Sequence, residues 1–281
     1  MKAAEVMNPN VVYATLPSTR DKILSLFKDH GISAVPVVKD GKVVGIVTRK
    51  DILRKIEENQ LALLMTPNPV TVEPDTDIRE VVGILTSTPF RRLPVVRNGE
   101  LVGIITVRDL IKKIAEMEIQ KSVRDYIYPS IVCVWNQTPL NVVGEIMRLS
   151  NSEICGVLDD SNNLVGIIDE KVMLTETLID EFIEQTTYSS SSDVDDNWSW
   201  SGLRDVTFKY FEVSVVKLPK DPVKKFMKSP EFVYPQTSVS KCAKKMVTKD
   251  IDHMPVLDSM NRVAGLVRDK DLIKVLLEEK I

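Results

Sequence analysis

The feature that most constrains this chain is a pattern that occurs four times. An apolar strand carrying one glycine recurs as Val43-Val44-Gly45-Ile46-Val47, Leu101-Val102-Gly103-Ile104-Ile105, Leu164-Val165-Gly166-Ile167-Ile168 and Val263-Ala264-Gly265-Leu266-Val267. Gly45, Gly103, Gly166 and Gly265 are separated by 58, 63 and 99 residues, so two periods agree and the third holds an insertion. Repetition at this spacing marks one supersecondary unit copied along the chain. A unit of that size buries too little surface to be stable alone, so the copies must pack on one another.

Each copy has the same internal order. A Met/Ile-x-Pro lead-in opens it (Met7-Asn8-Pro9, Met65-Thr66-Pro67, Ile127-Tyr128-Pro129), with Met227-Lys228-Ser229-Pro230 one residue looser. Short β-branched runs such as Val70-Thr71-Val72 follow, then residues suited to capping a helix: Ser18-Thr19-Arg20-Asp21 has capping-box form, and Asp75 and Ser238 occupy similar places. Apolar residues at three-four spacing, such as Ile78, Val81, Val82 and Leu85, predict a helix. A strand comes next, as in Val35-Pro36-Val37-Val38 and Leu93-Pro94-Val95-Val96, and Asp40-Gly41 and Asn98-Gly99 predict tight hairpins into the glycine strand. A second helix closes the unit. The order is β-α-β-β-α, with units expected over 1–60, 61–120, 121–185 and 221–281. Residues 186–220 form a polar insertion rich in Ser and Asp, with Trp198 and Trp200 as a partner-docking tip or a folded-back loop, and an extra strand expected over 208–218.

Composition narrows the functional classes. Lys+Arg 37 against Asp+Glu 40 leaves a net charge of −3, which gives no global field for nucleic acid. Two histidines, His30 and His253, are too few for a histidine-rich metal centre. Cys133, Cys155 and Cys242 form no CxxC pair and read as buried thiols of a reducing compartment. The start of the chain has no apolar signal core, and no apolar run reaches membrane-span length. A soluble cytoplasmic protein is the expectation. No nucleophile elbow, phosphate-binding glycine loop or two-histidine metal motif is present, so no catalytic residue and no metal is assigned.

The residues most able to carry chemistry follow each glycine strand. Repeat one reads Gly45-Ile46-Val47-Thr48-Arg49-Lys50-Asp51, and repeat two Gly103-Ile104-Ile105-Thr106-Val107-Arg108-Asp109. Thr-x-x-Asp at a strand-to-helix junction is, on structural grounds alone, a capping box. The repeat order, the x-Pro-Val-Val strand and this junction together resemble the CBS domain, a regulatory module. Four copies resemble the gamma subunit of AMP-activated protein kinase and stand-alone multi-CBS proteins.

The resemblance implies an α+β fold in which four β-α-β-β-α motifs form two pseudo-twofold pairs, joined as a flattened disc. It also implies clefts that bind adenosine-containing ligands. Asp51 and Asp109 would accept the ribose hydroxyls, a carboxylate being an acceptor with two oxygens, while Thr48 and Thr106 lie near ribose or phosphate. Each cleft would combine one repeat's junction with the segment before the partner's strand proline. Thr48 and Asp51 would thus face Arg91 and Arg92, the phosphate cations, and Thr106 and Asp109 would face Ser33 and Ala34. Repeat three has Val172 where the Asp should stand, with Asp169 retained as a cap. Repeat four keeps Asp271 and offers Arg268 as a phosphate ligand, although Glu153 would oppose phosphate there.

The expected function is regulatory. AMP, ADP or ATP bound between paired repeats would change their relative tilt and signal to a protein partner. An interaction scaffold with structural nucleotide, and a sensor of S-adenosylmethionine or NAD, are the alternatives. A monomer and a homodimer both satisfy the sequence.

Overall fold

The structure is a computed structural model, and it describes residues 1–55, 58–169, 172 and 218–279. Most of the 186–220 insertion, including Trp198 and Trp200, lies outside the described residues. The chain divides into two compact units. The first comprises Met1–Tyr126, Gln236–Asp252 and Val267–Ile281; the second comprises Ile127–Pro235 and His253–Leu266.

The first unit is built on one sheet ordered β1-β2-β3-β6-β5: β1 (Ala14–Thr15), β2 (Ala34–Lys39), β3 (Lys42–Thr48), β6 (Glu100–Thr106) and β5 (Arg92–Arg97). β2 with β3 and β5 with β6 are antiparallel hairpins, and the two hairpins meet at Lys42↔Glu100. Their turns are the expected ones. Asp40 and Gly41 (φ 49 and 79) and Asn98 and Gly99 (φ 54 and 86) all sit at positive φ, as a two-residue turn matched to strand twist requires.

Helix α1 (Arg20–Asp29) buries Ile23 and Phe27, and the corresponding helix of repeat two, α4 (Ile78–Ser87), buries Ile78, Val81, Val82 and Leu85. The remaining helices are α2 (Arg49–Arg54), α3 (Leu61–Leu64), α5 (Val107–Glu116), α6 (Leu140–Ser150), α7 (Val239–Lys249), α8 (Asp269–Leu272) and α9 (Val275–Glu278). Within the first unit α7 packs along α5, joined by the buried Ser240 hydroxyl. Ser240 donates to the Ile114 carbonyl at 2.9 Å and accepts from the Ile119 N–H at 3.0 Å.

Two capping expectations shift by one or two positions. The α1 cap is Thr19 rather than Ser18, and it makes no side-chain cap bond. The α4 cap is Asp77 rather than Asp75, its carboxylate accepting from Arg79 N–H at 2.9 Å. Ser238 caps α7 as expected, accepting from the Lys241 N–H at 3.4 Å. At α4 and α7 the capping side chain sits where its oxygen reaches an orphan N–H of the first turn.

The lead-in segments are exchanged between repeats one and two. Asn8 forms a two-way backbone bridge with Ile104 of repeat two, at 2.8 and 3.0 Å. Conversely β4 (Thr66–Pro67) pairs with β3 of repeat one, Gly45↔Pro67 and Ile46↔Thr66. A methyl group on Gly103 would collide with the thioether of Met7, and one on Gly45 with that of Met65. The recurring glycine and the recurring Met-x-Pro are therefore two halves of one contact.

The second unit contains β8 (Val132–Trp135), β9 (Ile154–Leu158) and β10 (Leu164–Asp169), with β8 parallel to β9 and β9 antiparallel to β10. A second sheet orders β11 (His253–Leu257), β12 (Val263–Arg268) and β7 (Ile127–Tyr128). Here too Met227 lies over Gly166, and Ile127 takes the methionine's place over Gly265. Its main core gathers Val134, Leu140, Val143, Met147, Val157 and Ile168.

Candidate functional site

The two Thr-x-x-Asp junctions of the first unit are near-duplicates. Thr48 caps α2: its Oγ1 accepts from the Asp51 N–H at 3.3 Å, and it donates through N–H and Oγ1 to Asp51 Oδ2 at 2.8 and 2.6 Å. At the start of α5 the Thr106–Asp109 distances are 3.2, 2.9 and 2.6 Å. The cap thus consumes one carboxylate oxygen and leaves the other. Among the described residues, Asp51 Oδ1 accepts a long bond from Thr66 Oγ1, at 3.4 Å. A sugar diol at either Asp has Oδ1 to bond to, with two lone pairs, rather than the two oxygens anticipated from the sequence.

Each pre-proline segment lies beside the junction of its own repeat. Ala34 pairs with Thr48, and Arg92 pairs with Thr106 across the hairpins. The Arg49 N–H donates to the Ser33 carbonyl at 3.1 Å, and the Val107 N–H to the Arg91 carbonyl at 3.0 Å. The two repeats meet where Arg92 Nη2 donates to Ser33 Oγ at 3.1 Å. Burial, reinforced by Arg91 and Arg49, holds the Arg92 guanidinium below its ordinary pKa. Three arginines from two repeats therefore converge, one of them substantially desolvated. Ala34 is buried and contributes wall, not a polar contact.

Arg91 has different partners from Arg92. Its Nη2 lies 2.5 Å from Asp269 Oδ2 and 3.2 Å from Asp252 Oδ2. The expected phosphate cation is thus tied to two carboxylates of the first unit, and Asp269 is almost wholly buried. Burial pushes the Asp269 carboxyl up to about 6 against the pull of Arg91, with Asp252 adding repulsion.

The expected ribose acceptor of repeat four is likewise engaged. Asp271 Oδ2 lies 2.5 Å from Arg268 Nε, and Oδ1 lies 2.7 Å from Lys274 Nζ. Burial opposes its charge, but those two partners prevail and hold the carboxyl below its ordinary value. Both Asp271 oxygens are thus paired, at a side chain 11% exposed, while the Arg268 and Lys274 side chains are 38% and 47% exposed. In the second unit Asp169 Oδ1 accepts from the Val172 N–H at 2.8 Å, the cap expected of it. His253 Nε2 lies 3.5 Å from Glu153 Oε2, so the pre-proline residues of repeats three and four face each other.

Sequence reasoning missed Arg49 and Arg108, the variable residues inside the two junctions. Arg108 Nη2 lies 2.6 Å from Asp250 Oδ1, with Nη1 3.9 Å from Asp252 Oδ1. A signal existed: a cation in the first turn opposes the helix dipole and calls for another reason to be there. A cavity of about 490 Å³ in the second unit runs beside Ile131, Cys133, Asn162, Arg262 and Gly265. Among the described residues no cluster of His, Cys, Asp or Glu is placed to hold a metal, and no helix is long and apolar enough to cross a membrane.

Paired β-α-β-β-α units with exchanged lead-ins and capped Thr-Asp junctions define a tandem-repeat α+β class of protein. The sequence model of the CBS domain matches residues 3–58, 61–116 and 223–278. The chain belongs to the CBS domain family, and its structure is a mixed α+β fold of that kind.

Across its length the chain is similar to a crystal structure of a conserved protein from Pyrococcus horikoshii, with TM-score 0.70, 27% identity, and 98% and 100% of the two chains covered. It shares the fold of protein MJ1225 from Methanocaldococcus jannaschii, proposed as an archaeal homologue of g-AMPK, at TM-score 0.67, 21% identity and 98% and 100% coverage. Protein MJ0188 of the same organism is 34% identical over 130 residues, covering 45% of this chain and 49% of the relative. The alignment thus spans about half of that relative's length.

Proposed function

We propose that the first unit binds an adenine nucleotide and that the bound state regulates a partner protein, with no chemistry of its own, in the cytoplasm. The observation that carries this reading is the twinned Thr48–Asp51 and Thr106–Asp109 geometry beside the desolvated Arg92. At each junction the cap fixes the carboxylate so that Oδ1 can accept a ribose hydroxyl in a charge-assisted bond. The Thr-Asp box holds the acceptor rigid, so little ordering is lost on binding. Arg92, bridging to Ser33 of the other repeat, supplies a cation whose partial desolvation strengthens its attraction for a phosphate. A ligand held by both repeats favours the arrangement it fits, and that preference is what a partner would read.

Calorimetry with AMP, adenosine and 2′-deoxyadenosine tests the reading. AMP should bind, and 2′-deoxyadenosine should bind more weakly than adenosine, because loss of a hydroxyl leaves Oδ1 under-satisfied. Asp51→Ala combined with Asp109→Ala should abolish the heat. Identifying small molecules released by heat from purified protein would distinguish a mononucleotide from S-adenosylmethionine or NAD. Absence of any adenosine-containing ligand, with no heat from AMP, would refute the proposal.

A further inference from the structure

We infer that the nucleotide site of the first unit selects by phosphate number, taking a nucleoside monophosphate and excluding a triphosphate, and that Asp252 and Asp269 set this limit by occupying Arg91. The inference rests on the adenine-nucleotide reading above and narrows its ligand.

Four guanidinium groups lie along the two repeats' junctions and pre-proline segments: Arg49, Arg91, Arg92 and Arg108. They are not equivalent. Arg92 has a hydroxyl partner, Ser33, at 3.1 Å, and is the desolvated one. Arg49 directs Nη2 to the Ile32 carbonyl at 3.2 Å. Arg91 is clamped between Asp269 at 2.5 Å and Asp252 at 3.2 Å, and Arg108 between Asp250 at 2.6 Å and Asp252 at 3.9 Å. Three carboxylates thus pair with Arg91 and Arg108, the arginines from the pre-proline segment and junction of the same repeat as Arg92.

One phosphate finds a cation in Arg92. Further phosphates would extend toward Arg91 and Arg108 and meet Asp250, Asp252 and Asp269 already seated there. Like charges repel there, least at the solvent-screened Asp250 and most at the buried Asp269. Displacing Asp269 would strand a carboxylate that is only 4% exposed, the costly way to break a buried pair. The carboxylates therefore act as built-in substitutes for the outer phosphates.

Sequence composition agrees with this placement. Repeat four has Asp252-His253 where repeat two has Arg91-Arg92, a reversal of sign at the equivalent position. The chain carries its own counter-charge to the arginine it would otherwise offer.

Calorimetry at pH 7.5 with adenosine, AMP and ATP, without added magnesium, tests the inference. Wild type should bind AMP at least about tenfold more tightly than ATP, a difference of about 1.4 kcal/mol. Asp252→Asn with Asp269→Asn should strengthen ATP binding about fivefold or more while leaving adenosine unchanged, and adding Arg91→Ala to that pair should cancel the gain. Asp252→Asn alone, at a side chain 47% exposed, should give a smaller gain in the same direction and keeps the test open if the buried substitution impairs folding. ATP binding as tight as AMP in wild type, or an unchanged ATP-to-AMP ratio in Asp252→Asn, overturns the inference while leaving adenine-nucleotide binding standing. Silence from adenosine and AMP alike removes both.

Discussion

Met7, in the lead-in of repeat one, lies against the bare Cα of Gly103 in repeat two, and Met65 of repeat two returns the contact on Gly45 of repeat one. The exchange explains why neither repeat is a free-standing body. Each sends out the segment that covers its neighbour's glycine strand, and the backbone bridges Asn8–Ile104 and Gly45–Pro67 fix the register of that cover. Apolar burial by each lead-in is thus credited to the other repeat, which couples the two thermodynamically.

The glycines should respond differently to alanine. At Gly265 (φ 152) an added Cβ would meet the Tyr128 carbonyl oxygen at 2.7 Å and Ile127 Cγ2 at 2.6 Å, and backbone cannot step aside. Gly265→Ala should cost about 2–4 kcal/mol, the range of a strained, overpacked position. Gly103→Ala should cost less, because the Met7 side chain can rotate, and Met7→Ala combined with it should be less damaging than the two single costs added. Gly83, inside α4 with open space around it, should gain about 0.5–1 kcal/mol on substitution by alanine. Urea unfolding midpoints of the set check the ranking.

Thr106→Val keeps shape but removes the hydroxyl that ties Asp109 at 2.6 Å. Loss of the cap should cost about 1 kcal/mol of stability. The freed carboxylate should also weaken AMP binding, since its Oδ1 is no longer held in place. Thr106→Ser should restore both, measured as melting temperature and calorimetric affinity.

Asp271→Ala should leave AMP binding unchanged, because the carboxylate is committed to Arg268 and Lys274. It should reduce stability by about 1 kcal/mol or less, because Arg268 and Lys274 are each more than a third exposed and water screens both pairs. A fall in AMP affinity or stoichiometry with intact fold would restore Asp271 to the ribose-binding role.

Acid should favour the Asp269 environment. Its folded pKa, about 6, stands above the ordinary carboxyl value of 3.8 because burial outweighs the attraction of Arg91. A raised folded pKa contributes stability that is complete below the unfolded value and is lost as pH climbs through about 6. Asp269→Asn stays neutral throughout. The stability of that variant relative to wild type should therefore rise between pH 4 and pH 7, by on the order of 2 kcal/mol, in chemical denaturation followed at both pH values.

Thiol reactivity should separate the cysteines. Burial pushes Cys242 and Cys155 up to about 12, and raises the half-buried Cys133 as well. In native protein a disulfide reagent should leave Cys155 and Cys242 unlabelled, with Cys133 reacting first and slowly. Full labelling should appear only in denaturant, as mass spectrometry of the adducts would show.

The repeat order, the hairpin turns at Asp40-Gly41 and Asn98-Gly99, and the Thr-x-x-Asp caps were legible from residues alone. Each is a local matter: period, positive φ and a side chain bonding a backbone three residues away lie within one short window of chain. Cap positions slipped by one or two residues, from Ser18 to Thr19 and Asp75 to Asp77, because several short polar side chains competed for one helix end.

The direction of long charged side chains was not local, and there the tertiary structure decided. Arg91 and Arg92 are neighbours in sequence of the same type, yet Arg92 opens β5 and meets Ser33, while Arg91, in the bend before the strand, meets Asp252 and Asp269. Arg108 likewise finds Asp250 and Asp252, more than a hundred residues further along the chain. Sequence by itself determined which short-range bonds would form; the pairing of charges remote in sequence needed the fold, because Coulomb attraction acts through distance in space and chain order does not report that distance.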